Sequence, residues 1–115
     1  MNANEVIDLL TLMASYDRRT VGKSDVAAWG LAVGDLPFAD SRDAVITHYR
    51  ESREWIMPAD VRDLVNEVRR ERLKNAPALD PPHEVADDPA KYVEWLAAER
   101  KKIADGPQAL KAVTS

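Results

Sequence analysis

Apolar residues recur along the chain at the three- and four-residue spacing of amphipathic helices, and no stretch of useful length alternates like a half-buried strand. Val6, Leu9, Leu10 and Met13 share one face of a first helix. Asn2 can cap it while Glu5, three residues on, reaches back, and it is expected to run to about Tyr16. A second helix fits Ser24 or Asp25 to Val33, with Val26, Trp29 and Val33 on one side and Gly34 suited to its C-terminal cap. The third follows Leu36-Pro37-Phe38, takes Asp40 or Ser41 as cap, carries Ala44, Val45, His48 and Tyr49 on its inner side and ends near Ser52. The fourth starts at Pro58, a residue tolerated at the first helical position, with Asp60 in the first turn where negative charge suits the dipole. Its face of Val61, Leu64, Val65, Val68 and Leu73 is the strongest amphipathic pattern in the chain.

The pattern breaks at residue 75. Pro77, Pro81, Pro82 and Pro89 fall close together, each removing a backbone donor and turning its predecessor away from helix, so residues 75–88 read as a linker. Beyond it, Asp88-Pro89 repeats a cap-then-proline start, and Tyr92, Trp95, Leu96, Ala98 and Ile103 give a fifth amphipathic helix ending at Gly106-Pro107. The expected fold is all-α: a four-helix bundle over 1–74, a Pro-rich linker over 75–88, and an amphipathic helix with a C-terminal tail over 89–115.

Composition narrows the classes of function. The 115 residues allow one small core, and 45% apolar with 31% charged residues fits a folded soluble chain. Sixteen Lys and Arg against twenty Asp and Glu leave a formal charge of -4, with no excess of positive charge to advertise nucleic acid. The absence of cysteine excludes disulfides, thiol catalysis and iron–sulfur ligation. The opening MNANEVIDLL has acidic residues where a signal peptide needs Lys or Arg, and no apolar run reaches the ~20 residues of a membrane span. A cytoplasmic protein, with no membrane partner, is expected.

Catalytic chemistry has little to work with. The only histidines are His48, read as a packed residue of the third helix, and His83, in the linker with no fixed geometry expected. Neither a two-His metal pattern nor a Gly-rich phosphate loop is present, so no metal, cofactor or enzymatic activity is expected. Arg62, Arg69, Arg70, Arg72 and Lys74 line the fourth helix and its end as a possible nucleic-acid contact. Glu67 and Glu71 interleave with them, however, so a solvated face with (i, i+3/i+4) pairs outweighs a phosphate-binding stripe, and direct nucleic-acid binding is expected to be weak or absent. Trp29 and Trp55 read as core anchors. Tyr92, Trp95, Leu96 and Ile103 differ, because their helix has no assured core: its apolar face either folds back or serves as a ligand for a partner groove.

The run LPFADSRDAVITHYRESREWIMPADVR, ending at Arg62, resembles the signature of phage helicase loader and inhibitor proteins. There a Leu-Pro-aromatic turn precedes a helix with Ala-Val and Tyr, then an aromatic residue, a proline and an Ala-acidic-aliphatic-Arg helix start. WGLAVGDL, from Trp29 to Leu36, is similar to the family's second helix, and the resemblance covers roughly residues 3–74. It implies a non-catalytic accessory protein of DNA replication that binds a hexameric replicative helicase, holds it inactive and helps deliver it to an origin-bound initiator. It also implies a folded N-terminal domain and a flexible C-terminal part that makes the helicase contact. The proline-delimited fifth helix departs from that pattern; in this chain Tyr92, Trp95, Leu96 and Ile103 would be the contact. The competing readings are a small DNA-binding regulator using the fourth helix, and a scaffold or inhibitor dimerising through apolar helix faces.

Overall fold

The computed structural model describes residues 1–106. Among them are six helices and no strand: α1 (Ala3–Asp17), α2 (Lys23–Val33), α3 (Phe38–Glu51), α4 (Pro58–Asn75), α5 (His83–Ala86) and α6 (Pro89–Asp105). The all-α expectation holds. The chain divides into two compact units, Met1–Asn66 and the segment from Glu67 onward, so the structural boundary lies inside α4, ahead of the compositional shift at residue 75. The part of the tail expected over 107–115 lies outside the described residues.

In the first unit α1 packs against both α2 and α3. Its capping box forms as expected: Glu5 N–H donates to Asn2 Oδ1 at 2.8 Å and Asn2 N–H donates to Glu5 Oε1 at 2.9 Å. Val6, Leu9, Leu10 and Met13 all enter the core. There they meet Trp29, Val33, Leu36, Ala44, Val45 and Ile56, and the first half of α4 adds Val61 and Val65. Truncating a fully buried leucine such as Leu9 or Leu10 in a core of this kind costs about 2–5 kcal/mol.

Two helix starts differ from expectation. α2 begins one residue early, and its N-cap is Gly22, whose N–H donates to the Asp25 carboxylate at 2.9 Å; Asp25 caps from inside the first turn. α3 is capped by Pro37, not by Asp40 or Ser41. Both of those lie in its first turn, buried, and the Ser41 hydroxyl returns a hydrogen bond to Pro37 O at 2.8 Å. Proline at N-cap is already extended (φ -65, ψ 138) and so sets the chain's entry into the helix without a side-chain acceptor.

In the second unit the residues between α4 and α6 are not all irregular. Val85 and Ala86 N–H groups both donate to Pro82 O, making the single turn of α5, so His83 occupies a defined helical position and not a loose linker. α6 starts as the sequence indicates: the Asp88 side chain accepts from Ala90 N–H at 3.1 Å and Lys91 N–H at 3.4 Å, with Pro89 in the first turn. It ends at Gly106, whose N–H reaches Lys102 O and Ile103 O at 3.1 and 3.2 Å. Gly106 has φ 66 and ψ -150, a combination essentially confined to glycine.

Candidate functional site

Tyr92, Leu96, Arg100 and Ile103 recur at intervals of four, four and three residues and so share one face of α6. That face does not project freely. With Leu73 at the end of α4 and Ala76, Pro77, Ala78 and Leu79 it lines an open groove of about 300 Å³, entirely within the second unit. Leu96 and Ile103 are half-buried and Tyr92 sits at the edge of exposure. Trp95, also half-buried, leans on Tyr92 with ring centroids 6.2 Å apart, but is not part of the groove wall. Of the expected contact residues, the structure therefore gathers Tyr92, Leu96 and Ile103 into one concave surface, with Trp95 beside it. The last apolar position of the helix, Ala104, is buried.

The basic stripe of α4 is largely occupied within the fold. Arg62 makes a two-pronged pair with Asp35, at 2.7 and 3.1 Å, and donates to Ala32 O at 3.0 Å. Arg69 donates to Asp105 at 2.6 Å, and Arg72 to the carbonyls of Ala104 and Asp105 at 2.8 and 3.4 Å. Ala32 and Ala104 lie in the last turns of α2 and α6, where carbonyls lack intrahelical partners and the dipole favours cations. The expected pairing of this stripe with Glu67 and Glu71 thus gives way to tertiary partners: Arg62 caps α2, and Arg69 and Arg72 secure the end of α6. Hydrogen bonding to Arg62 holds the Asp35 carboxyl below its ordinary value. Burial alone would raise Asp105, but hydrogen bonds from Lys101 and Arg69 outweigh it and hold this carboxyl low. Arg70 and Lys74 remain exposed.

A polar cluster that no sequence motif announced lies in the first unit. Asp17 and Arg19, with side-chain exposures of 2% and 8%, form an ion pair at 2.6 Å. The Tyr49 hydroxyl donates to Asp17 Oδ2 in a short hydrogen bond and accepts from Ile56 N–H at 3.0 Å, while Arg19 donates to Ile56 O at 3.0 Å. His48 Nε2 donates to Glu54 O at 2.6 Å, so the packed-histidine expectation resolves into a tether for the α3–α4 connection. The Arg19 guanidinium lies 5.6 Å from the Trp29 ring centroid and 4.9 Å from that of Trp55. Trp55 is not the core anchor expected: it is 56% exposed, because it lies in the α3–α4 connection and covers a cation instead of entering the apolar cluster. Val68 is another correction, 42% exposed on α4 beyond the last core position Val65.

No protein-family model, curated protein or solved structure matches the chain. Among the described residues no group of three or more His, Cys, Asp or Glu is placed to hold a metal ion, and no helix is long and apolar enough to cross a membrane. Among the described residues, ionisation is displaced at Asp17, Arg19, Asp35, Tyr49, Arg62 and Asp105. Each sits in an ion pair or hydrogen-bond network that joins elements, and none lines the groove. A concave surface of apolar side chains with one guanidinium suits binding better than proton transfer.

Proposed function

We propose that this chain is a non-catalytic accessory protein of DNA replication that binds a hexameric replicative helicase, restrains it and helps load it at an origin through an initiator protein. The reading takes its specific form from the Leu-Pro-aromatic to Ala-Asp-Val-Arg run, and its support in the fold from the all-α character and the amphipathic helix α6 in the second compact unit. The observation that carries the contact is the grouping of Tyr92, Leu96 and Ile103 on a groove wall of α6. Engagement of Arg62, Arg69 and Arg72 by Asp35, Asp105 and helix carbonyls favours a protein partner over duplex DNA, because phosphates would have to compete with those acceptors. The mechanism is stoichiometric: the tail docks on the helicase, and its occupancy blocks ATP turnover or keeps the hexamer open.

Size-exclusion chromatography with light scattering, using the replicative helicase of the source cell with and without nucleotide, tests it. The full chain is expected to co-elute, and the Tyr92→Ala/Leu96→Ala variant to lose co-elution while keeping its helical circular dichroism. Failure of the unmodified chain to co-elute in either nucleotide state would remove the reading.

A further inference from the structure

The groove carries more information than the apolar face of α6 alone. Among the described residues, Arg100 is the one charged side chain that lines it. Neighbouring cations on the same helix are paired, Lys101 with Asp105 at 2.7 Å and Lys102 with Glu99 at 3.1 Å. Arg100 is exposed, and among the described residues it has no ion-pair partner. An unpaired guanidinium beside Leu96 and Ile103 is complementary to a carboxylate flanked by apolar side chains, and its fork favours a two-pronged contact.

The opposite wall adds a second constraint. Between α4 and α5 the chain is irregular, and the backbone N–H groups of Ala78 and Leu79 donate no hydrogen bond within the described structure. Proline at 77 and again at 81 keeps this stretch out of a helix. Main-chain donors left free on residues that line an apolar groove can pair with the carbonyls of an extended ligand, main-chain hydrogen bonds then supplying affinity and the side chains specificity. Tyr92 to Ile103 spans roughly 16 Å at about 1.5 Å per helical residue. That length matches about five extended residues at about 3.3 Å each.

We infer that the groove between α6 and the Ala76–Leu79 segment binds an extended acidic–apolar peptide of about five residues, its carboxylate taken by Arg100 and its apolar side chains seated against Leu73, Leu79, Leu96 and Ile103. The inference builds on the reading of the α6 face as the contact surface and names the partner chemistry that surface takes. A partner helix laid across the same face is the outcome that competes with it.

The test is a titration of the isotope-labelled full chain, followed by amide chemical shifts, with the blocked pentapeptide Leu-Thr-Glu-Val-Leu and its lysine counterpart Leu-Thr-Lys-Val-Leu. The acidic peptide is expected to shift the amides of Ala78, Leu79, Leu96 and Arg100 and to bind about tenfold more tightly than the basic one, as a single charge-assisted pair provides. Arg100→Glu should reverse the preference. Lys91→Glu, the same charge change at an exposed α6 position outside the groove, should leave it intact. Equal binding of the two peptides, shifts confined to other surfaces, or no shifts at millimolar peptide would each overturn the inference. Peptide binding without helicase co-elution would remove the helicase reading and leave this one standing. Helicase co-elution that Arg100→Glu leaves unchanged, with no peptide binding, would do the reverse.

Discussion

The Arg19 guanidinium grips both oxygens of the Asp17 carboxylate, its Nε at 3.0 and 2.9 Å and its Nη2 at 2.6 Å, with both side chains almost wholly out of solvent. Arg18 between them takes a left-handed conformation, φ 63, at the C-cap of α1, and this turn folds Arg19 back over Asp17. Breaking such a pair leaves an uncompensated buried charge, so Arg19→Met is expected to destabilise the chain by about 3–5 kcal/mol. Urea unfolding measures it. The Asp17→Leu/Arg19→Met double variant should recover part of the loss, since the stranded carboxylate is then gone; a loss under about 1 kcal/mol in the single variant would mean the pair is not buried in solution.

The same network sets the pH dependence. Burial pushes Asp17 up, but hydrogen bonds from Arg19 and Tyr49 outweigh it and hold the carboxyl below its ordinary 3.8; Asp105 is lowered in the same sense. A depressed folded value means stability present above the unfolded value and lost as pH falls through the folded one. Tyr49 is displaced oppositely: burial and the hydrogen bond it donates to Asp17 raise it above 10.0. Its contribution is complete below pH 10 and is lost as pH rises through the higher folded value. Thermal melts across pH should therefore show an acid limb below about pH 4 that flattens in Asp17→Asn, and an alkaline limb above about pH 10 that changes in Tyr49→Phe. Acid limbs of equal steepness in the parent and Asp17→Asn would contradict the assignment.

Glycines at three helix positions should respond to alanine in different directions. A Cβ at Gly30 meets nothing within 4 Å, so Gly30→Ala removes unfolded-chain entropy at no steric cost and should stabilise by about 0.5–1 kcal/mol. A Cβ at Gly34 would clash with the backbone carbonyl oxygen of Gly30, and Gly34→Ala should destabilise. Gly106→Ala combines a backbone conformation hostile to side chains with a Cβ 2.9 Å from Arg72 Nε, and should cost about 1–3 kcal/mol. Differential scanning calorimetry of the three variants ranks them, and a stabilising Gly106→Ala would contradict the geometry at the end of α6.

The N-terminal capping box offers a local check on α1. Asn2→Ala removes the acceptor for Glu5 N–H and should cost about 1 kcal/mol, as cap removals do. Denaturant midpoints report it, and an unchanged midpoint would mean that the first turn is frayed in solution.

The helices and their inward faces were legible because they depend on local rules. Asn2 with Glu5, Pro58 with Asp60 and Asp88 with Pro89 each place a helix start within a few residues, and Val6, Leu9, Leu10 and Met13 name their own buried face by spacing alone. Where cap rules offered several acceptors, as at Asp40 and Ser41, the helix starts after Pro37, whose fixed φ suits the entry, and both polar side chains fall buried in the first turn.

What sequence spacing could not supply was the partner of each charge. Arg62, Arg69 and Arg72 read as one basic stripe because they share a helix, yet each finds its acceptor about 30 residues away, at Asp35, Asp105 and Ala104 O. Trp55 read as core because it is large and apolar, yet it lies over the Arg19 guanidinium and stays mostly exposed. The groove wall of Tyr92, Leu96 and Ile103 was half visible: periodicity put these residues on one face of α6, and only the path of Ala76–Leu79 made that face concave. Helix propensity and capping act over one or two turns and are written in adjacent residues. Ion pairs, cation–π contacts and grooves join residues far apart in the chain, so they exist only once tertiary packing has brought the elements together.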